Sequence, residues 1–413
     1  MRILFLSTYF APDAASTGVL MTHLAEDLSG LGHEVTVVTT KPHYEGDRIW
    51  SEYRGRAWRT ERKSGLSIHR LHLYVPRNKT GLAGRVLSYA TWNAFSGLFG
   101  TVVGDPDIVF VPSPPLTNGL SGYAVSRLRR APFVYNVQDI YPDVAVRLGI
   151  LESRRTIGAF RALERFVYAK AAAVSVICEG FRDNLLAKGV PGGKIRVIPN
   201  FADTDFIRPL DRRGEFSRAH GLDGRFVVLF AGNVGLSQGL DRVLEAAELL
   251  AGEPEILFLI VGNGAAKAGL VETARRRRLG NVVFRPFFPY RDIPKMYASS
   301  DVGLVPLKRG VTEESVPSKV FSILAAGRPL IASVDEGSET WRLVREAGCG
   351  MCVPPEDPKA LAEAILRLRR DRETGRRMGL AGRACVEKDF SRRPIAMKYD
   401  QLFKSVVEGR ANG

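Results

Sequence analysis

The sequence predicts an α/β protein of two domains, each built around a parallel sheet. Three observations carry this. Apolar runs of strand length alternate with longer helical patterns along the whole chain. The alternation halts at a turn-rich stretch, 198–206, and starts afresh at Phe226. The 413 residues suffice for two sizeable cores, and 41 glycines and 23 prolines suit many strand-to-helix turns.

In the first half, strands are predicted at 3–7, 35–39, 68–73, 108–112, 133–137 and 173–178. Helices fall near 18–31, 79–103, 117–130, 156–170 and 180–188. In the second half, strands are predicted at 226–231, 256–261, 282–285, 302–306, 329–332 and 350–353, each followed by a helical pattern. A last helix covers 393–407, where Ile395, Tyr399, Leu402 and Phe403 recur at helical spacing. There is no tandem repeat and no low-complexity tract.

Apolar residues make up 45% of the chain, which excludes a disordered protein. A formal charge of +15 points to an anionic partner: nucleic acid, anionic lipid or a phosphorylated substrate. Arg275 to Arg278 read as a solvated helix end, where cations suit the dipole. Cys349 and Cys352 have no second Cys or His pair, so core packing is expected rather than zinc. The apolar run 3–6 is too short for a signal peptide and reads as a first strand. Residues 86–104 carry no charge, but Ser88, Thr91, Asn93, Ser96 and Thr101 argue against a membrane span. A core helix or a membrane-surface helix fits better.

The stretch from Val311 to Ile331 carries the most chemistry. Glu313 and Glu314 end a loop, and Pro317 stands where a helix would start. Val320, Ile323 and Leu324 supply an apolar face, Gly327 stops the helix and Pro329 bars its continuation. The free N–H groups near Ser318 and Lys319 suit an anion, and Lys319 adds a charge. A carboxylate just upstream can accept hydrogen bonds from sugar hydroxyls.

This segment resembles the donor-binding signature of the retaining glycosyltransferases of family 4, which have the GT-B fold. Their signature has two glutamates eight residues apart, then a small-residue turn and Gly-x-Pro. Glu314 matches the first glutamate, and Ser322 stands at the second, which in the family grips the ribose. The Pro-Ser-Lys version resembles a bacterial subgroup that builds surface polysaccharides. The stretches 175–188 and 198–206 match the same enzymes, and the motifs fall in the family's order over nearly the whole chain. The resemblance implies two facing Rossmann-like domains with a deep cleft between them. It divides the chain into an acceptor domain at 1–198, a donor domain at 199–390 and a C-terminal helix, 391–413, returning to the first domain.

Further motifs follow strand ends, where open α/β sheets bind ligands. The turn Tyr9 to Gly18 is small enough for close approach to a phosphate, and in the family it flanks the donor diphosphate. An ordinary βα loop is the alternative. At Gln138-Asp139 the family often has His-Asp. Gln138 cannot serve as a base, and Asp139 is a candidate either for substrate contact or for capping a helix. Asn233 and Gln238 stand where the family offers Arg and Lys to the diphosphate, which leaves Lys319 as the leading cation, with the Lys308/Arg309 loop as a helper. Gly262-Asn263-Gly264 is a weak dinucleotide fingerprint. With Phe287 and Phe288 it would line the base pocket; either aromatic equally suits the core.

The predicted activity is transfer of a sugar from a nucleotide diphosphate sugar, with uridine diphosphate the expected carrier, retaining configuration. Neither a metal nor any other cofactor is expected beyond the donor. Glu314, Lys319 and Asp139 are the expected catalytic residues. Basic residues at 48–77 and the set Arg85, Tyr89, Trp92 and Phe95 suit an anionic membrane surface. By resemblance the acceptor is a sugar on a polyprenyl diphosphate, reached from the cytoplasmic face of the plasma membrane. Two rivals are a nucleotide-sugar epimerase, which needs proton-transfer acids not identified here, and a nucleic-acid-binding protein. No recognition motif interleaves the basic residues, so nucleic acid is not the expected partner.

Overall fold

A computed structural model describes residues 1–13, 15–43, 48–75, 82–311 and 317–411. The chain divides into two compact units. One contains residues up to Pro199 together with the chain from Arg392 on, and the other spans Asn200–Ser391.

The first unit contains β1 (Arg2–Leu6), β2 (Glu34–Thr40), β3 (Trp58–Lys63), β4 (Leu66–Leu71), β5 (Ile108–Pro112), β6 (Phe133–Val137), β7 (Ala173–Val176) and β8 (Ile195–Val197). Among the described residues these form one eight-stranded sheet in the order β3-β4-β2-β1-β5-β6-β7-β8. All pairs are parallel except β3 with β4. Every residue of β5, β6 and β7 is buried, as helices on both faces of a parallel sheet require.

Two strands escaped the sequence pattern. β3 reads Trp-Arg-Thr-Glu-Arg-Lys and is almost wholly exposed, which is how an edge strand resists further pairing. Its turn into β4 is Ser64-Gly65, both with positive φ (51° and 76°), the backbone of a tight hairpin. That dipeptide was a legible signal; the flanking charges hid the strand. β8 has just three residues, too few for any period.

The C-terminal helix Arg392–Ala411 packs within the first unit. Arg392 pairs with Asp27 at 2.7 Å and Glu26 at 3.3 Å, and Asp400 meets His33 at 2.8 Å. Tyr399 and Phe403 each place a ring 5.4 Å from that of Phe110.

The second unit contains β9 (Phe226–Ala231), β10 (Ile256–Val261), β11 (Val282–Arg285), β12 (Val302–Pro306), β13 (Leu330–Ser333) and β14 (Gly350–Val353). Among the described residues they make a six-stranded sheet, β11-β10-β9-β12-β13-β14, parallel throughout. β10 is buried along its whole length, and alternate residues of β9 and β10 feed two cores on opposite faces. Each such buried Val, Leu, Ile or Phe stabilises the unit by about 1.5–3 kcal/mol. Cys349 packs in one of these cores, and the described cysteines are free thiols.

The helix Leu82–Gly100 inverts the expected surface. Trp92 was expected to face a membrane, but it is 1% exposed, and its indole N–H donates to Asn118 Oδ1 at 2.8 Å. Asn118 in turn donates to Pro112 O at 2.9 Å and Thr8 Oγ1 at 3.1 Å. Ser96 donates to Ser121 at 3.0 Å, so the polar stripe lies against helix Asn118–Arg129. The outward face is apolar instead: Leu87, Phe95, Leu98 and, just beyond the helix, Val102 are all exposed. Of these, Leu98 lines an apolar groove of about 390 Å³ together with Leu120 and Leu128. Among the described residues, no helix is long and apolar enough to cross a membrane.

Candidate active site

In the second unit, two neighbouring strands end alike. Gly232 follows β9 with φ 144°, and Gly262 follows β10 with φ 145°. A Cβ on Gly262 would lie 1.9 Å from Gly232 O, and one on Gly264 would lie 2.4 Å from Val234 O. The two loops therefore touch backbone to backbone, which no side chain permits. Val234 N–H donates to Asn263 O at 2.9 Å across them. Lys267 locks the pair, donating to Gly262 O at 2.6 Å, Asn263 Oδ1 at 2.9 Å and Arg285 O at 3.1 Å. Nothing in the sequence singled out Lys267, which looks like any surface lysine on a helix.

Beneath Gly232 lies Lys319, the first residue of helix Lys319–Ala325. Pro317 precedes this helix rather than opening it, and Ser318 is its half-buried N-cap residue. Val320, Phe321, Ile323 and Leu324 are buried in the core and fix the helix in place. The Lys319 ammonium donates to Gln238 Oε1 and lies 3.9 Å from the centre of the Phe230 ring. A Cβ at residue 232 would stand 3.3 Å from Lys319 Cε, so glycine keeps the approach to the amine open. Burial brings the ammonium down to about 7. Among the described residues it has no carboxylate partner; its charge is eased by an amide oxygen and a ring face. Phe230 was missed because a strand aromatic reads as core.

The other expected donor residues are less alike. Asn233 is exposed and approaches Gly235. Ser322 shares a hydrogen bond with the hydroxyl of buried Tyr297, so its oxygen is already engaged within the unit. Phe288 is half-buried and packs edge-on against Phe216 at 4.9 Å on the fringe of the core, one of the two places the sequence left open for it. Phe287 is half-buried, and among the described residues no ring packs on it. Arg309 turns toward Pro355 O at 3.3 Å. Glu314 and the side chain of Arg85 lie outside the described residues. Tyr89 is half-buried on its helix.

In the first unit, the ends of β1 and β6 fall on one edge of the sheet because those strands run parallel. Gly18 sits so close to the first loop that a Cβ would be 3.1 Å from Tyr9 Cβ. Thr22 ties helix to loop, donating to Gly18 O at 2.8 Å and accepting from Ala11 N at 2.9 Å. After β6, Gln138 donates through Nε2 to Asn136 Oδ1 at 2.8 Å. Asn136 donates to Ser175 Oγ at 3.1 Å and to Tyr399 Oη at 3.0 Å. The C-terminal helix thus supports this edge from behind. Asp139 comes next, half-buried, with its carboxyl pushed up to about 7 by burial. Lys188 fixes the following turn, pairing with Asp143 at 2.6 Å and Glu164 at 2.7 Å. Among the described residues, no group of three or more His, Cys, Asp or Glu could hold a metal ion.

Within the second unit, the glycine-hinged loop pair with the half-buried Lys319 below it suits a phosphorylated ligand. Within the first, the polar strand edge at Gln138 and Asp139 suits hydroxyl groups. Residues 17–200 match a glycosyl transferase 4-like domain, and residues 212–384 match the glycosyl transferases group 1. The chain belongs to family 4 of the glycosyltransferases, with the GT-B fold. The glycosyltransferase is 29% identical over 375 residues to WcaI of Escherichia coli K12, which is named for glycosyl transfer in colanic acid biosynthesis. That match covers 88% of this chain and 91% of WcaI. In fold it is similar to sucrose-phosphate synthase of Thermosynechococcus elongatus, with TM-score 0.76, 20% identity and coverage of 99% and 100% of the two chains. HepE of Anabaena, solved with UDP-glucose, gives TM-score 0.72 at 16% identity over 98% of this chain and 100% of that one.

Proposed function

We propose that this glycosyltransferase moves a sugar from a uridine diphosphate sugar to a lipid-linked acceptor in surface-polysaccharide synthesis, with retention of configuration. The observation that carries the donor half is Lys319: an ammonium held under Gly232, without a carboxylate among the described residues, where a diphosphate would restore its full charge. HepE binds UDP-glucose and WcaI is named for a surface polysaccharide, which supports the donor and the pathway class. The second unit is then the donor unit and the first the acceptor unit.

In this reading the bond between the anomeric carbon and the diphosphate oxygen breaks while Lys319 stabilises the charge gathering on the leaving group. The acceptor hydroxyl attacks from the same face, and the leaving phosphate oxygen takes its proton. Gln138 holds no removable proton and orients only. Asp139 serves as a hydrogen-bond partner for sugar hydroxyls, the role that the sequence resemblance also gives to Glu314. The exposed face of Leu87, Phe95, Leu98, Leu120 and Leu128 supports docking on a membrane that carries the acceptor.

Lys319→Met tests the donor half. Calorimetry is expected to show at least about tenfold weaker binding of uridine diphosphate and near-native binding of uridine, because a charge-assisted contact is worth roughly 1.5–3 kcal/mol. Equal losses for both ligands would refute a phosphate role.

A further inference from the structure

The first unit has a second polar feature that the donor reading leaves unused. A cavity of about 870 Å³ opens between Lys41, just past the end of β2, and the chain running from Glu52 into β3. Lys41, Arg54, Arg56 and Arg59 line it, against the lone carboxylate of Glu52. Lys41 is 1% exposed and forms the floor, its ammonium donating to Arg56 O. Burial and the neighbouring charge of Arg59 both lower its pKa. Arg59 lies 5.0 Å from the Tyr53 ring and Arg70 lies 5.4 Å from the same ring, so two guanidinium groups share one aromatic wall. Arg70 is 2% exposed, and its Nη1 has no hydrogen-bond partner. Among the described residues the Arg56 guanidinium has no partner either, and Arg54 uses Nε alone, toward Ile49 O at 3.0 Å. Glu61 already holds Arg59 and Arg70, each through Nε at 3.0 Å, whereas Lys41, Arg54 and Arg56 have no carboxylate partner among the described residues, so these three cations favour an entering anion.

We propose that this cavity is an anion site for a phosphate or diphosphate group of the acceptor. Its place in the fold gives the acceptor's shape. β3 runs antiparallel to β4, and Trp58 opposite Leu71 puts the start of β3 at the carboxyl end of β4. The cavity therefore lies on the same sheet edge as Asp139. From β2 or β4 to β6 the order is β4-β2-β1-β5-β6. Three or four strand spacings make this roughly 14–19 Å. A short saccharide bridges that span, so the anion belongs to an acceptor that carries sugar between its phosphate and the reacting hydroxyl. That last step rests on the transferase reading above; the anion site itself does not.

The test uses the full chain carrying Lys319→Met, which removes the second unit's cation. Inorganic pyrophosphate and farnesyl diphosphate are titrated separately by calorimetry at low salt. Both are expected to bind, and Arg54→Gln with Arg56→Gln is expected to weaken both by about tenfold or more. Arg54→Lys with Arg56→Lys keeps the charge and is expected to retain most of the affinity. Tighter binding of farnesyl diphosphate than of pyrophosphate assigns a lipid-borne anion; equal binding assigns a soluble one. Absence of binding by both probes, or an unchanged affinity in the folded double glutamine variant, overturns the site. Uridine diphosphate titrated into the chain with native Lys319 checks the donor reading independently. If it fails to bind while pyrophosphate still depends on Arg54 and Arg56, the donor reading falls and the anion site stands.

Discussion

Asp139 in the first unit and Lys319 in the second start far apart in acidity, and burial brings them together. The carboxyl rises from 3.8 to about 7 and the ammonium falls from 10.5 to about 7. The cause is the same in both, loss of water around the charged form. Their neighbours differ. Lys319 touches an amide oxygen and a ring face, which ease a positive charge without cancelling it. Asp139 follows a chain of neutral amides and hydroxyls running through Gln138, Asn136 and Tyr399. The first arrangement favours an arriving anion, and the second favours a neutral, hydroxyl-rich ligand. On the proposed reading, Lys319 meets the donor's diphosphate and Asp139 meets sugar hydroxyls.

The sharpest way to break this division is to neutralise each group in turn. Lys319→Met is expected to cost the most, through the diphosphate affinity described above. Asp139→Asn is expected to lower kcat/KM by about tenfold or more, ~1.4 kcal/mol, while leaving the affinity for uridine diphosphate unchanged. A variant at Asp139 that loses nucleotide affinity as strongly as Lys319→Met does would collapse the distinction.

Acidity offers the next test. Free Lys319 releases its proton above about pH 7, whereas a bound diphosphate holds the proton on. Binding at pH 8 should therefore take up close to one proton, and affinity should fall as pH rises beyond 7. Calorimetry in buffers of different ionisation enthalpy measures the uptake, which Lys319→Met should abolish. No uptake in the native chain at pH 8 contradicts the lowered ammonium.

Membrane docking should depend on the outward face of helix Leu82–Gly100 and not on its tryptophan. Phe95→Ser with Leu98→Ser is expected to reduce pelleting with anionic vesicles by about tenfold, since each side chain withdraws apolar area worth about 1.5–3 kcal/mol. Trp92→Phe should leave vesicle binding intact and lower stability by about 1 kcal/mol, because it removes the shorter of two bonds to the buried Asn118 Oδ1 and leaves only Thr8 Oγ1 at 3.3 Å. Vesicle binding that follows Trp92 instead would restore the reading from sequence.

The smallest effect is on stability. Asp139 binds its proton more tightly folded than unfolded, so its contribution is full below about pH 3.8 and is lost as pH rises toward 7. Asp139→Asn should then raise Tm at pH 8 and leave it nearly unchanged at pH 4. A lower Tm at pH 8 would mean that the carboxylate has a stabilising partner.

By itself the sequence determined the alternation of strands and helices, the turn-rich link near Pro199, and the glycines after β9 and β10. These are local properties: periodicity, turn chemistry and backbone freedom act over a few residues. It also pointed to Lys319, at a helix start that Pro317 announces, and to Asp139, just past the end of an apolar strand. Tertiary structure decided the rest. Lys267 and Phe230 look like an ordinary surface lysine and an ordinary core aromatic until the loops and the Lys319 side chain close on them. The polar stripe of Leu82–Gly100 turned inward because Asn118 and Ser121, far along the chain, offered it partners. β3 paired despite its charges because a two-residue turn set it against β4. In each case a hydrogen bond or a burial depends on residues brought together only by folding, and no local pattern records which partner will arrive.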